Sequence, residues 1–325
     1  MEGPIQKTRI VRHASLGLGD ALCLTPAFHV MHEAGLRVGL ECTRVIAVQD
    51  TLWGNDDVAV VAEPGMLTGP VTDVENALWD YEREHLPDVR MSRPAMFLQA
   101  LGLSGMAPMR VCLHPRAVDF AEDAKVAAGM TRLPWVFVQT EASEPYKECP
   151  PEVGAGLIEA LLAAGYLVLT ISRVSAATVA GAGHTDIQVG SPQQALALFN
   201  LCEAGIGYDS FYLHAAAALE KPFVAILGST TCVGRVVDYP LARALSIDCD
   251  SACFRNSEQP CKRLGAVSYC LAATQSEPVL RTLEEVLRCQ TKSRTAYIGG
   301  TNDSTEAECP MAPTPRLCTP LSKAI

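Results

Sequence analysis

Three short segments and one cysteine-rich stretch carry the residue types that could do chemistry. Gly17-Leu18-Gly19-Asp20-Ala21-Leu22 sets two glycines and a carboxylate at a strand-to-helix junction. Glycines let the backbone approach a ligand, and a carboxylate in a first helical turn suits the dipole while remaining available as a general base. Asp20 therefore has two readings, base or helix cap. Leu22 stands where the third glycine of G-x-G-x-x-G belongs, which weighs against a dehydrogenase. The segment Gly207 to Pro222 brings Asp209, Ser210 and His214 to a helix start, near free N–H groups suited to an anion. The plain alternatives are a capping Asp209 and a core histidine. Gln139 to Lys147 is a polar loop whose lysine is either a phosphate contact or a surface residue. Cys249, Cys253, Cys261 and Cys270 are spaced C-x3-C-x7-C-x8-C. Thiolate zinc, reduced packed thiols and disulfides all fit that spacing, and a four-cysteine zinc would be structural, having no open position.

The elements that must position these residues follow a β-α rhythm. Strand is predicted over 8–12, helix over 20–33 with Pro26 near its start, strand over 37–42, helix over 46–53 and strand over 58–62. Residues 64–95 read as loops and helix. A polar helix over 117–128 suits an interdomain connection. The rhythm then restarts with strands over 135–139, 166–171, 204–208 and 223–227, alternating with helices over 151–164, 192–200 and 212–219. Two doubly wound halves of this kind carry ligand sites at the carboxyl ends of their strands and would face a common cleft. The expected division is a first domain over 1–128, a second domain over 129–290 and a flexible tail over 291–325, where apolar periodicity gives way to Gly, Ser, Thr and Pro.

The chain has 325 residues, enough for about two domains. It is 49% hydrophobic and 19% charged, which fits large cores and excludes a wholly disordered chain. Its 26 Lys plus Arg stand against 36 Asp plus Glu, a net charge of −10 with no whole-protein attraction to a polyanion. A local groove lined by Arg12, Arg37, Arg44, Arg90 and Arg93 stays open, though each reads first as a solvated residue. No signal peptide or membrane span is predicted. The expected compartment is the cytoplasm, compatible with a peripheral place at the inner membrane face.

Taken together, the three segments resemble glycosyltransferase family 9, the ADP-heptose lipopolysaccharide heptosyltransferases. The resemblance rests on the Gly17-to-Ala27 opening and on Gly207 to Pro222 followed by Val224 to Thr230. The cysteine segment adds to it, and the whole spans about residues 8 to 288. It implies a GT-B fold, two Rossmann-like domains around a cleft, and metal-independent transfer from a nucleotide sugar, ADP- or UDP-linked, with no cofactor required. By position, Asp20 matches the catalytic base, Lys147 a donor-phosphate contact and Asp209 a donor-holding aspartate. Ser210 and His214 fall at the helix start facing the diphosphate. Thr140 and Gly228 join the donor side, and Gly17 and Gly19 form an acceptor or phosphate loop. Phe211 replaces the family's glycine and Ser229 its proline, and residues 64–116 match poorly, so neither donor nor acceptor is inherited.

The leading function is an inverting glycosyltransferase acting on a surface saccharide or glycolipid such as lipopolysaccharide core. Hydroxylated bases in DNA are an alternative acceptor. A sugar-nucleotide epimerase and a non-catalytic scaffold are the alternatives in other classes.

Overall fold

The computed structural model describes residues 8–85, 89–130, 134–142, 147–148, 150–172, 183–228, 233–246 and 269–299. In the first half β1 (Thr8–Arg12), α1 (Leu18–Glu33), β2 (Arg37–Glu41), α2 (Val45–Thr51) and β3 (Val58–Ala62) follow in turn. Then come β4 (Val71–Asp73), α3 (Ala77–His85), α4 (Arg93–Ala100) and α5 (Pro115–Ala127). The second half runs β5 (Trp135–Val138), α6 (Pro151–Ala163), β6 (Leu167–Ser172), β7 (His184–Gln188), α7 (Pro192–Leu201) and β8 (Ala204–Gly207). It continues with α8 (Phe211–Ala218), β9 (Phe223–Leu227), α9 (Val233–Val236), β10 (Ala242–Ser246), α10 (Tyr269–Ala272) and α11 (Ser276–Gly299).

Two parallel sheets result. The first has the order β3-β2-β1-β4 and the second β10-β9-β8-β5-β6-β7. Counted from its own first strand, the second is 3-2-1-4-5-6, the doubly wound order of dinucleotide-binding folds, and the first is the opening of the same series. Strand order reverses between β1 and β4 and between β5 and β8, so a ligand crevice is expected outside the carboxyl ends of those pairs.

Side-chain alternation makes the second sheet a buried layer. Trp135 and Phe137 face a core shared with Leu169, Phe199 and Phe223, while Val136 and Val138 face a core shared with Ile206, Val224 and Leu283. The buried Ala117 and Ala121 put α5 into the core of the second sheet. A separate core around Leu24, Phe28, Met31, Leu40 and Phe97 supports the first sheet.

Helix α1 is buried without a break from Ala21 to Phe28, as a helix packed from both sides must be. It contributes Leu22 to the second-half core and Leu24 and Phe28 to its own. Pro26 lies well inside this helix rather than near its start. Its ring nitrogen cannot donate to the Leu22 carbonyl, and the Thr25 hydroxyl takes that place at 2.7 Å. The helical backbone of α11 continues to Gly299, past the point where apolar periodicity fades. Residues 300–325, the remainder of the predicted tail, lie outside the described residues. No helix among the described residues is long and apolar enough to cross a membrane.

Candidate functional site

The loops at the two strand-order reversals meet. Gly17 takes the N-cap position of α1 in extended conformation, and Asp20 follows in the first turn. The Asp20 side chain curls back over Gly17, where an added Cβ would lie 3.2 Å from its Oδ2. Asp20 makes no capping bond. Its hydrogen-bond partner among the described residues is Arg93, whose Nη1 donates to Oδ1 at 2.9 Å.

Arg93 is the centre of the arrangement. Ser92 caps α4 and Pro94 occupies its first turn, which points Arg93 inward at the first helical position. Of the five arginines proposed for a basic groove, Arg37, Arg44 and Arg90 are exposed and Arg12 pairs with Glu41 at 2.8 Å. Arg93 departs from the expectation of a solvated residue, with only 7% of its side chain exposed. Its Nη2 lies 3.6 Å from Asp209 Oδ2, joining the carboxylates of the two halves.

Asp209 follows β8 and is 2% exposed at its side chain. Arg235 Nε approaches it at 3.3 Å and Lys147 Nζ at 3.7 Å. Arg235 also pairs with Glu82 of α3, both buried. Gly234 makes this possible, because a Cβ there would sit 2.7 Å from the carbonyl oxygens of Val89 and Met91. Arg93, Lys147 and Arg235 are thus balanced by Asp20, Glu82 and Asp209 in a largely dry interface.

The balance is reflected in the protonation states. For Asp209 burial is outweighed by Arg235, Arg93 and Lys147, so its carboxyl lies well below the usual range. Burial opposes Asp20 ionisation too, but Arg93, then His214, His13 and Lys147, hold it below its ordinary value. Burial lowers the Lys147 ammonium, with Arg93 and Arg235 adding to the effect and Asp209 opposing it. Asp20 is a carboxylate at neutral pH and can accept a proton.

The remaining predicted residues fall around this cluster. Ser210 is the N-cap of α8 but makes no capping bond; its hydroxyl donates to Gln139 Oε1 at 2.6 Å. Gln139 also accepts the Tyr208 N–H at 3.3 Å and donates to the Glu141 carbonyl at 2.7 Å, tying the ends of β5 and β8 together. A Cβ at Gly207 would meet Gln139 Oε1 at 2.6 Å. Thr140 is half-buried directly after β5. Gly228 follows β9 against Cys270, whose Sγ would lie 2.4 Å from an added Cβ. Phe211 opens α8 with its ring edge-on to Tyr212, and its Cα would be 3.4 Å from a Cβ at Gly19. Cys249, Cys253 and Cys261 lie outside the described residues, as does Ser229. Among the described residues no group of three or more His, Cys, Asp or Glu side chains is placed to hold a metal ion.

His214 is 1% exposed and sits where α1 and α8 cross, so close that a Cβ at Gly19 would be 2.8 Å from its ring. Burial, then Arg93, lower its pKa from 6.5 to about 3. Below about 6.5 the unfolded chain binds a proton here that the native state does not, so stability falls as pH drops from there toward about 3. The limiting slope is about 1.4 kcal/mol per pH unit. Urea midpoints between about pH 7 and about pH 5 should fall in the wild type and fall less steeply in His214→Gln.

A cavity of about 280 Å³ lies on the other side of Tyr239. It is walled largely by Pro26, Pro94, Met109, Pro240 and Leu241, with Lys221, Glu220 and Asp238 among its lining, and contains none of the cluster's charges.

Sequence reasoning missed Arg235, Glu82 and Gln139. Glu82 left a usable signal, since it falls four residues after Leu78 on the apolar face of α3 and both are buried, and Gln139 opens the polar loop already singled out.

No protein-family model matches the chain, and no curated protein sequence matches it significantly. Solved structures do match. The glycosyl transferase family 9 protein from Veillonella parvula DSM 2008 aligns with 89% of this chain and 99% of its own at 14% identity and TM-score 0.64. The iron-containing dodecameric glycosyltransferase TibC from enterotoxigenic E. coli H10407 aligns with 88% of this chain and 77% of its own, at 17% identity and TM-score 0.64. The E. coli ADP-heptose lps heptosyltransferase II aligns with 88% of this chain and all of its own, at 13% identity and TM-score 0.58. At these identities the likeness is one of fold, and the fold is the GT-B arrangement of two Rossmann-like units.

Proposed function

We propose that this protein is a family 9 glycosyltransferase that moves a sugar from a nucleotide sugar to an acceptor hydroxyl, with inversion and without a catalytic metal. The observation that carries the reading is the junction of Asp20 with Arg93, Asp209, Lys147 and Arg235, where a base from one half meets clustered cations at the strand-order reversal of the other. Arg93 Nε and Arg235 Nη2 are buried without a hydrogen-bond acceptor among the described residues, and a ligand's phosphate oxygens would satisfy such groups. Ser210 bonds Gln139 instead of capping α8, which leaves the N–H groups of that helix start for the same oxygens. Two of the fold's solved neighbours are heptosyltransferases, and TibC has been captured with ADP-D-beta-D-heptose.

In this scheme Asp20 takes the proton from the acceptor hydroxyl, whose oxygen attacks the anomeric carbon from the face opposite the diphosphate. The carbon–oxygen bond to the diphosphate breaks, and its electron pair stays on the departing oxygen. Lys147, Arg235 and the α8 N–H groups stabilise that charge, which is the work a metal would otherwise do. The first half, over 1–128, takes the acceptor, 129–290 takes the donor, and 291–325 is a tail outside the site. Ser15 and Glu75, joined by an N–H to carboxylate bond of 3.1 Å in the loops that follow β1 and β4, are the polar groups of the first half offered to an acceptor sugar. The acceptor we favour is a surface saccharide such as lipopolysaccharide core, reached by a cytoplasmic protein at the inner membrane face.

A thermal-shift screen of ADP-, UDP- and GDP-sugars tests the donor half. A true donor should raise Tm by mass action, by about 2.7 kcal/mol of stabilisation at a hundredfold excess over Kd. Lys147→Ala should weaken that donor roughly tenfold to a hundredfold, the worth of a charge-assisted contact. If no nucleotide sugar shifts Tm, the donor reading fails and a scaffold takes its place. Saccharide and hydroxylated-base DNA acceptors, offered side by side with the identified donor, decide the second substrate.

A further inference from the structure

We infer that Tyr239 is a positioning residue that fixes His214 as the neutral Nε2–H tautomer, so that the histidine presents a hydrogen-bond donor to the diphosphate of the sugar donor. The inference rests on the glycosyltransferase reading for the identity of that ligand, and on the geometry around Nδ1 for the tautomer.

Two hydrogen-bonding groups converge on His214 Nδ1. The Tyr239 hydroxyl lies 2.7 Å away and the Cys23 thiol 3.3 Å away. If Nδ1 carried the ring proton and donated it to the phenol oxygen, the phenol proton would have, among the described residues, only sulfur acceptors, Met109 at 3.9 Å and Cys23 at 3.8 Å. Sulfur accepts weakly, and both contacts are long. With Nδ1 as acceptor, the phenol makes a bond of full strength and the thiol has a second claim on the same lone pair. Burial drives the phenol and thiol pKa values upward, so both keep their protons at neutral pH. The ring proton is left on Nε2.

Nε2 is buried and has no partner among the described residues. It faces Gly19, whose added Cβ would lie 3.6 Å from it, at the first turn of α1 and beside the start of α8. A buried donor without an acceptor costs free energy, which a ligand oxygen at that junction would recover. A neutral imidazole N–H suits the place, because burial and then Arg93 and Arg235 disfavour a further positive charge against the pull of Asp209 and Asp20. His214 is then a hydrogen-bond donor in the reaction and leaves base chemistry to Asp20.

The tautomer can be read directly. In long-range ¹H–¹⁵N spectra of ligand-free ¹⁵N-labelled protein, His214, assigned by its loss in His214→Gln, should show a protonated Nε2 and a bare Nδ1. Tyr239→Phe keeps the ring and removes the hydroxyl; its His214 shifts should move toward a mixture of tautomers, and kcat should fall roughly tenfold, the worth of one hydrogen bond. A wild-type spectrum with the proton on Nδ1 overturns the inference, and so does an unchanged tautomer in Tyr239→Phe. Should Tyr239→Phe fail to fold, the wild-type spectrum still decides. Adding ADP should move the wild-type Nε2 signal; binding that moves other resonances and spares His214 overturns the diphosphate contact. Failure of the glycosyltransferase reading looks different, as titrations with ADP, UDP and GDP none of which moves any resonance.

Discussion

Asp20→Asn loses transfer by on the order of a hundredfold to ten-thousandfold while nucleotide-sugar binding survives. The substitution is isosteric and removes one charge. Arg93, which donates to Asp20 at 2.9 Å, keeps Asp209 at 3.6 Å as a counterion, so no buried cation is stranded. With Asp209 still facing Arg93 and 20% of the Asp20 side chain exposed, the cost in stability is smaller than that of removing the fully buried Asp209 charge. Binding should hold or tighten, since one anion fewer faces the diphosphate. The informative comparison is single-turnover transfer against the ADP-induced Tm shift in the same preparation. Full transfer activity in Asp20→Asn removes the base from the mechanism, whereas loss of both transfer and binding makes Asp20 a structural partner of Arg93 and nothing more.

The helices and strands that carry the site were legible because they follow simple periodicities. β1, β3 and β9 lie where short β-favouring or apolar runs place them, and α1 follows a two-glycine loop. What was missed follows from three dimensions. β4 is only three residues long, between glycine- and proline-rich turns; β7, His184–Gln188, is mostly polar and half-buried; β10, Ala242–Ser246, has a composition that suits a helix. Each is held as a strand by its parallel neighbour rather than by its own propensity.

The site divides the same way. Asp209, Ser210 and His214 share one strand end and helix start, where spacing along the chain predicts proximity, and Asp20 and Lys147 join them only through the family resemblance. Arg93 and Arg235 reach the same carboxylate from α4 and α9, 142 residues apart by their numbers, and no local pattern links them. An arginine at a helix start ordinarily reads as solvated. Its burial here is decided by Asp20 and Asp209, which supply the charge that makes a dry guanidinium tolerable.

That dependence sets the largest expected effect on stability. Asp209→Asn should destabilise the fold by about 3 to 5 kcal/mol, because it leaves Arg93, Arg235 and Lys147 facing only Asp20 and Glu82 in a buried setting. At roughly 2 to 4 °C per kcal/mol for units of this size, Tm falls by on the order of 10 °C. Lys147 should respond most, since Asp209 is what opposes the burial that lowers its pKa, and losing it favours release of the lysine proton. An anion then does for the variant what Asp209 does for the wild type. ADP should raise the Tm of Asp209→Asn by more than it raises the wild type's, as the ligand's phosphates restore the missing negative charge. The sequence-level reading of Asp209 as a donor-holding side chain predicts the opposite pair of results, near-normal stability with weakened binding. Its 2% exposure and three cationic neighbours favour the first pair, and a melting curve with and without ADP separates them.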